Sequence, residues 1–223
     1  MPTKPPDAKT VAEDLTTHLA AAVGLGTTYP AREDSRAFGA MLEKRILDAW
    51  PSICVAMNAT ALARPGRRTI YDFAMRHGGV LVGLEVKTKA LDSRTYSDGG
   101  VCSVGNLIQF LVRDQACLMV AEIAHKSDGN DGRIVAATNV APIHLLPVSD
   151  LRLENLGKGQ VRLNRPIHAL WPDIVWDRTL PQFLDIFTDL AVAHYGRVGE
   201  VAAQRADAMR AFRAGGFSRL ELP

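Results

Sequence analysis

A pair of glycines between two runs of β-forming residues is the strongest constraint on how this chain folds. Gly78 and Gly79 separate residues 70–75 from residues 80–87, and both runs are rich in residues that favour strands. A Gly-Gly pair favours a two-residue hairpin turn because both of its residues can adopt positive φ. The spacing therefore predicts an antiparallel hairpin in which residue 77 faces residue 80.

The predicted register brings two carboxylates together. Counting from the turn, Asp72 faces Glu85, and opposed residues have Cβ atoms roughly 4.5–5.5 Å apart. Lys87 projects from the same face as Glu85, whereas Val86 points to the other face. Like charges at this spacing repel unless a cation lies between them. One face of the hairpin thus collects Asp72, Glu85 and Lys87. The alternative is a cross-strand salt bridge of Lys87 with Glu85 or Asp72 on a solvated sheet face.

The segments on either side of the hairpin have helical and strand patterns. Residues 35–50 have an apolar stripe at helical spacing, with Asp34 or Ser35 as the N-cap and Pro51 closing the helix. The stripe consists of Phe38, Met41, Leu42, Ile46 and Ala49. Residues 103–113 predict a second helix, and residues 116–124 predict a buried strand. The predicted order is therefore helix, hairpin, helix, strand.

An aspartate followed after twelve residues by Glu85-Val86-Lys87, within this order of elements, resembles the PD-(D/E)XK nuclease superfamily. Its best-known members are type II restriction endonucleases, and the resemblance covers about residues 35–126. Tyr71 stands where proline is often found. The resemblance implies an α/β, restriction-endonuclease-like fold, with a mixed central β-sheet and flanking helices. It also implies Mg²⁺-dependent hydrolysis of phosphodiester bonds in double-stranded DNA at a specific sequence.

The same resemblance implies roles for individual residues. Asp72, Glu85 and the carbonyl of Val86 would hold Mg²⁺, for which Mn²⁺ can substitute, and Mg²⁺ prefers such hard oxygen ligands. Lys87 would orient the attacking water and stabilise developing negative charge. Glu43, at the border of the apolar stripe, would support the metal site. Glu43 is equally well explained as a solvated helix residue near Lys44.

Basic and polar residues around the hairpin are candidate DNA contacts. Lysine and arginine side chains there would neutralise phosphates, and a glutamine can bond both edge groups of an adenine. A solvated surface, or a simple hairpin turn between residues 150–154 and 160–164, explains several of them equally well. The candidates are Arg67, Arg68, Lys89, Arg94, Tyr96, Ser97, Ser103, Asn106, Gln109, Lys158 and Gln160.

Length and composition predict one domain. The 223 residues are 47% hydrophobic, which suffices for a single substantial core. We expect a nuclease domain over residues 1–223, with its core at about 35–165 and two helices, 180–194 and 198–212, within residues 178–214. The net charge of +2 is only mildly basic, so composition alone does not indicate DNA binding.

The remaining expectations concern the localisation of the protein, its partners and the rival functions. No run is long enough to span a membrane, and the three cysteines show no CxxC spacing, so we expect a reduced protein of the cytoplasm. The resemblance implies a homodimer, because enzymes that cut both strands of a palindrome are usually twofold dimers. The rivals are a repair or recombination nuclease of the same fold and a non-catalytic DNA-binding protein.

Overall fold

The chain forms a mixed α/β structure with two sheets. The computed structural model describes residues 7–30, 35–63, 66, 69–92, 100–129, 132–154 and 159–214, with backbone alone at 35–36, 113, 205–206 and 208–214. The helices are α1 (Ala8–Ala22), α2 (Ser35–Ala56), α3 (Val104–Ile108), α4 (Ile167–Leu170) and α5 (Leu180–Ala214). The strands are β1 (Thr28–Pro30), β2 (Thr60–Ala61), β3 (Phe73–His77), β4 (Val80–Ala90), β5 (Cys102–Ser103), β6 (Cys117–Ser127), β7 (Gly132–Pro142), β8 (Leu151–Glu154) and β9 (Gln160–Leu163).

The larger sheet has six strands in the order β1-β7-β6-β4-β3-β2. Strands β4 and β6 are parallel, and every other neighbouring pair is antiparallel. A parallel pair needs a crossover connection, and the chain between β4 and β6 contains α3, which a π-helical turn (Gln109–Arg113) extends. The smaller sheet has the order β5-β9-β8. The expectation of a mixed sheet with flanking helices is confirmed.

Two hydrophobic cores cover opposite faces of the large sheet. Helices α1 and α2 pack with Val82, Leu84 and Val86 of β4 in one core. The other core contains α3, α4, the first half of α5 and the small sheet. Side chains alternate along a strand, so the odd-numbered residues of β4, including Glu85 and Lys87, face the side of α3.

Helix α2 is longer than the sequence predicts. Its stripe is confirmed, since Phe38, Leu42 and Ile46 are buried. Pro51, however, lies inside the helix, which continues to Ala56, so the prediction that Pro51 ends it is wrong. The helix continues because Trp50, Ile53 and Cys54 are buried on the same apolar stripe. Their burial offsets the loss of the backbone hydrogen bond that proline cannot donate. The predicted N-cap residues lie outside the residues whose side chains are described.

The C-terminal segment forms one helix where two are predicted. Helix α5 runs without interruption through Gly196 and Gly199. Neither glycine adopts positive φ, so neither ends the helix as a C-cap glycine would. In contrast, the hairpin pairing predicted between residues 150–154 and 160–164 is confirmed, because β8 and β9 pair antiparallel with Glu154 opposite Gln160.

Candidate functional site

The hairpin formed by β3 and β4 has the predicted register. His77 pairs with Val80, and the ladder continues to Phe73 opposite Leu84. Gly78 and Gly79 have φ of 54° and 85°, as a turn with two positive-φ residues requires. The Asp72 amide donates a hydrogen bond to the Leu84 carbonyl at 2.9 Å. Strand β3 begins at Phe73 and not at residue 70, so Asp72 lies just beyond the ladder, next to Glu85.

Asp72 and Glu85 form a close pair of carboxylates. Burial raises the pKa of Glu85 to about 7; the Lys87 charge opposes this shift and the nearby Asp72 carboxylate adds to it. Nζ of Lys87 lies 2.7 Å from Oε1 of Glu85. The Glu85 side chain is only 13% exposed and that of Lys87 25%. This is not a solvated surface pair, because both groups are largely withdrawn from water.

The backbone of Val86 also contacts the carboxylate pair. Its amide donates to Oδ2 of Asp72 at 2.8 Å. The N–H and C=O of one strand residue point towards the same neighbouring strand, so the Val86 carbonyl faces the side on which Asp72 lies. The geometry therefore brings together two carboxylates, a carbonyl and an ammonium group. The side chain of Val86 packs in the core with α2.

The small sheet brings two of the candidate DNA contacts to this site. Cys102 of β5 lies close enough that the charges of Glu85 and Lys87 both act on it, although burial is the main reason that its pKa is raised to about 12. The next residue, Ser103, pairs with Gln160 of β9. A Cβ on Gly100, whose φ is +78°, would overlap the Gln160 side chain. Gln160 therefore packs on the backbone of Gly100.

Asn106 and Gln109 line a cleft beside the hairpin. Ser103 caps α3 by accepting a hydrogen bond from the Asn106 amide at 3.4 Å. The cleft has a volume of about 200 Å³ and also contains Thr69, Tyr71 and Phe110. The rings of Tyr71 and Phe110 pack 5.3 Å apart. Tyr71 immediately precedes Asp72, so this cleft adjoins the carboxylate pair.

The other candidates divide into three groups. Lys89 follows Lys87 on the same face of β4, and it is half-buried. Glu43 is half-buried on α2, which packs against the opposite face of the sheet, where Gly39 lies against Thr88. Six candidates lie outside the described residues: Arg67, Arg68, Arg94, Tyr96, Ser97 and Lys158.

The sequence reasoning missed one buried carboxylate and its histidine partner. Glu122 of β6 lies directly beside Lys87 in the parallel register and is 3% exposed. Its Oε1 lies 3.2 Å from Nδ1 of His168. Glu122 is the single charged residue in the otherwise apolar run 117–124. Because glutamate is almost never fully buried without a partner, its place in a predicted buried strand indicated that a partner lies nearby.

Within the described ranges, no three or more histidine, cysteine, aspartate or glutamate side chains gather as a metal-holding group. No helix in this part of the chain is long and apolar enough to cross a membrane. Neither a protein-family model nor a curated protein sequence matches the chain.

Proposed function

We propose that this protein is a Mg²⁺-dependent endonuclease of the restriction-endonuclease-like fold, cutting double-stranded DNA at a specific sequence. The observation that carries the proposal is the contact of Asp72 with Glu85, whose side chain is only 13% exposed and whose pKa burial raises to about 7. Two acids in contact at the end of a ladder are costly unless a cation is shared between them. Lys87, at 2.7 Å from Glu85, completes the arrangement that the resemblance implies.

The residues present fit a divalent metal ion with hard ligands. Mg²⁺ typically uses one or two carboxylates and keeps several waters, and the pair offers two carboxylates with the Val86 carbonyl on the same side. Asp72, Glu85 and Val86 would hold the ion, which when bound polarises the scissile phosphate and acidifies water. The Val86 amide fixes Asp72 in place.

Lys87 is the group of this chain that meets the phosphate. Its ammonium lies on the same sheet face as Glu85 and is a quarter exposed, so it remains accessible to a bound anion. In that position it would orient the attacking water and stabilise the charge that develops on the phosphoryl oxygens. Lys89, two residues further on the same face, would extend the positive surface along the strand.

DNA would bind on the face shared by α3 and the small sheet. Ser103, Asn106 and Gln109 are partly or fully exposed there, and Gln160 pairs with Ser103. Contacts to base edges carry sequence information, whereas contacts to phosphates position the duplex. The amide side chains would therefore contribute specificity, and Lys89 would contribute affinity. A homodimer would present two such sites to a palindromic target.

Cleavage of plasmid and phage DNA in Mg²⁺, followed by mapping of fragment ends, tests this proposal. We expect discrete ends at one sequence. Asp72→Ala, Glu85→Ala and Lys87→Ala should each reduce cleavage by at least about 100-fold, and Glu43→Ala should reduce it less. Lys44→Ala is the matched control, since Lys44 forms an exposed ion pair with Asp48 on the outer side of α2. Cleavage by all three variants at the wild-type rate would refute the assignment.

The same assay separates the two rival functions. Cutting of branched junctions in preference to ordinary duplex would indicate a repair or recombination nuclease of the same fold. Tight DNA binding with no cleavage in either Mg²⁺ or Mn²⁺ would indicate a non-catalytic DNA-binding protein.

A further inference from the structure

We propose that the cleft beside the hairpin holds one pyrimidine base of the bound DNA strand, outside the helical stack. The cleft lies between α3 and the segment that leads into β3, and its lining includes Tyr71, Asn106, Gln109, Phe110 and Asp114. This inference rests on the proposed nuclease function, because that function brings a DNA strand to the neighbouring carboxylates. It adds a site for a base to the site for the phosphate.

The cleft lies close to the carboxylate pair along β4. Tyr71 and Phe110 meet the sheet at Gly83, where an added Cβ would lie 2.9 Å from an atom of each ring. Gly83 and Glu85 are two residues apart on the same face of β4, so about 7 Å separates them. A base in the cleft would therefore belong to a nucleotide that adjoins the scissile phosphate.

One aromatic ring of the cleft is accessible and held in place. Phe110 is only 5% exposed, whereas Tyr71 is half-buried, so Tyr71 is the ring that a ligand can reach. Phe110 packs against it, with the ring centroids 5.3 Å apart. The next residue, Asp72, donates a backbone hydrogen bond to Leu84 at 2.9 Å, which anchors this segment to β4. Tyr71 is therefore a fixed surface on which a base can stack.

Two side-chain amides of the cleft can recognise the edge of a base. Asn106 is exposed and Gln109 is half-buried, and the amide groups of both retain accessible surface. Neither amide group bonds to another residue in the described part of the chain. An amide offers two donors and an acceptor without any change of protonation, and the edges of bases present complementary groups. The two amides can therefore replace hydrogen bonds that a base loses on leaving its pair.

The size and charge of the cleft favour a single uncharged ring. Its volume of about 200 Å³ is somewhat larger than the roughly 150 Å³ of a cavity that accommodates benzene. One six-membered ring therefore fits, and the two fused rings of a purine need more space. Asp114 lines the cleft and is exposed, and its carboxylate repels a phosphate. A pyrimidine base is thus the part of a nucleotide that matches the cleft.

The base must leave the helical stack to enter this site. In an intact duplex its two faces are covered by the neighbouring bases, so Tyr71 can replace one of them only after extrusion. Stacking on the ring and hydrogen bonds to the amides offset the cost of unpairing. That cost is lowest for a base that is already unpaired, so a duplex with an unpaired pyrimidine should bind more tightly.

Binding of the full chain to a short duplex with one extra, unpaired thymidine tests the proposal. The reference is the same duplex with an abasic residue at that position, so the two ligands differ only in the base. Fluorescence anisotropy in Ca²⁺, which supplies positive charge at the carboxylates, measures both affinities. We expect the thymidine duplex to bind at least about tenfold more tightly, the value of one base stacked on an aromatic ring. An unpaired adenosine should bind less tightly than thymidine.

Variants of the cleft connect this preference to its residues. Tyr71→Leu should abolish the thymidine preference, and Gln109→Leu should reduce it by about threefold or more. Gln204→Leu replaces an exposed glutamine of α5 and is the matched control, which should keep the full preference. Gln109→Leu decides the question alone if Tyr71→Leu does not fold.

Three results would overturn the proposal. They are equal or absent binding of the thymidine and abasic duplexes, adenosine bound as tightly as thymidine, and an unchanged preference in the folded cleft variants. The assay measures binding and not cleavage. Equal binding of the thymidine and abasic duplexes would therefore leave the nuclease proposal standing, and absence of cleavage alone would leave the base site standing.

Discussion

Glu85 combines two properties that a purely structural ion pair does not need. It lies 2.7 Å from a lysine, yet burial still raises its pKa to about 7. An ion pair that served stability alone would hold the carboxylate charged, with its pKa below the ordinary value. The proximity of Asp72 works against that charge. A further positive group beside Glu85 would therefore stabilise its charged form, as the proposed function requires.

The raised pKa of Glu85 has a measurable effect on stability. In the metal-free protein, native Glu85 keeps its proton up to pH of about 7, whereas the unfolded chain releases it near 4.5. The native state therefore binds more protons in this window, and its free energy of unfolding falls as pH rises. We expect Glu85→Gln to gain about 3 kcal/mol over wild type between pH 4.5 and 7.

Denaturant unfolding of the two proteins in EDTA, at several pH values, measures this difference. The comparison with wild type removes the contribution of half-buried His144. Burial and then Arg178 lower the pKa of His144 to about 4, so its effect has the opposite sign. A difference that stays constant with pH would show that Glu85 is not held protonated.

The hairpin turn shows how one element sets the site. Gly79 has φ of +85° and open space around the position of a Cβ. Gly79→Ala should therefore cost about 1–2 kcal/mol through backbone strain alone. Gly196→Ala, in the helix α5 and also facing open space, is the matched control and should stabilise the protein by about 0.5–1 kcal/mol. Thermal or denaturant unfolding measures both, and equal effects would contradict the assigned turn.

The sequence predicts the elements near the site better than those further away. The hairpin register follows from Gly78-Gly79 and from counting, which depend on local geometry alone. The length of α2 does not follow, because Pro51 is tolerated only through the burial of Trp50 and Ile53 by the sheet. The sequence also predicts two helices where α5 is one unbroken helix. Glycine permits a helix to end but does not require it, so Gly196 and Gly199 do not decide the matter.

The site itself is predicted in part. Asp72, Glu85 and Lys87 are adjacent on two strands that are joined by a two-residue turn, so their proximity is a local property. The contact of Glu122 with His168 joins residues 46 positions apart, and it depends on how α4 returns to β6. Gln160 likewise reaches the site only through the β5–β9 pairing. No spacing rule in the sequence anticipates either contact.

At the scale of the whole molecule, β6 couples the two cores. Leu118 is fully buried in the core that contains α3, and its neighbour Met119 is buried in the core that contains α1 and α2. Because one strand serves both faces, the protein should unfold in a single step. Leu118→Ala and Met119→Ala should each lower the free energy of unfolding by about 2–5 kcal/mol.

Unfolding followed by both far-ultraviolet and near-ultraviolet circular dichroism checks this expectation. Each variant should shift one common transition. Two separate transitions, with each variant shifting only one of them, would contradict this expectation. They would show that the two hydrophobic cores unfold independently and that the carboxylate pair does not depend on both cores.

Calorimetric titration with Mn²⁺ tests most directly whether Asp72 and Glu85 share a divalent cation, as the proposed function requires. We expect wild-type protein to bind Mn²⁺ with release of protons near pH 6.5, because Glu85 must ionise to become a ligand. Asp72→Asn should lose at least about tenfold in affinity, and Lys44→Ala should bind as wild type does. Binding that is absent in the wild type, or equally tight in Asp72→Asn, would contradict the account.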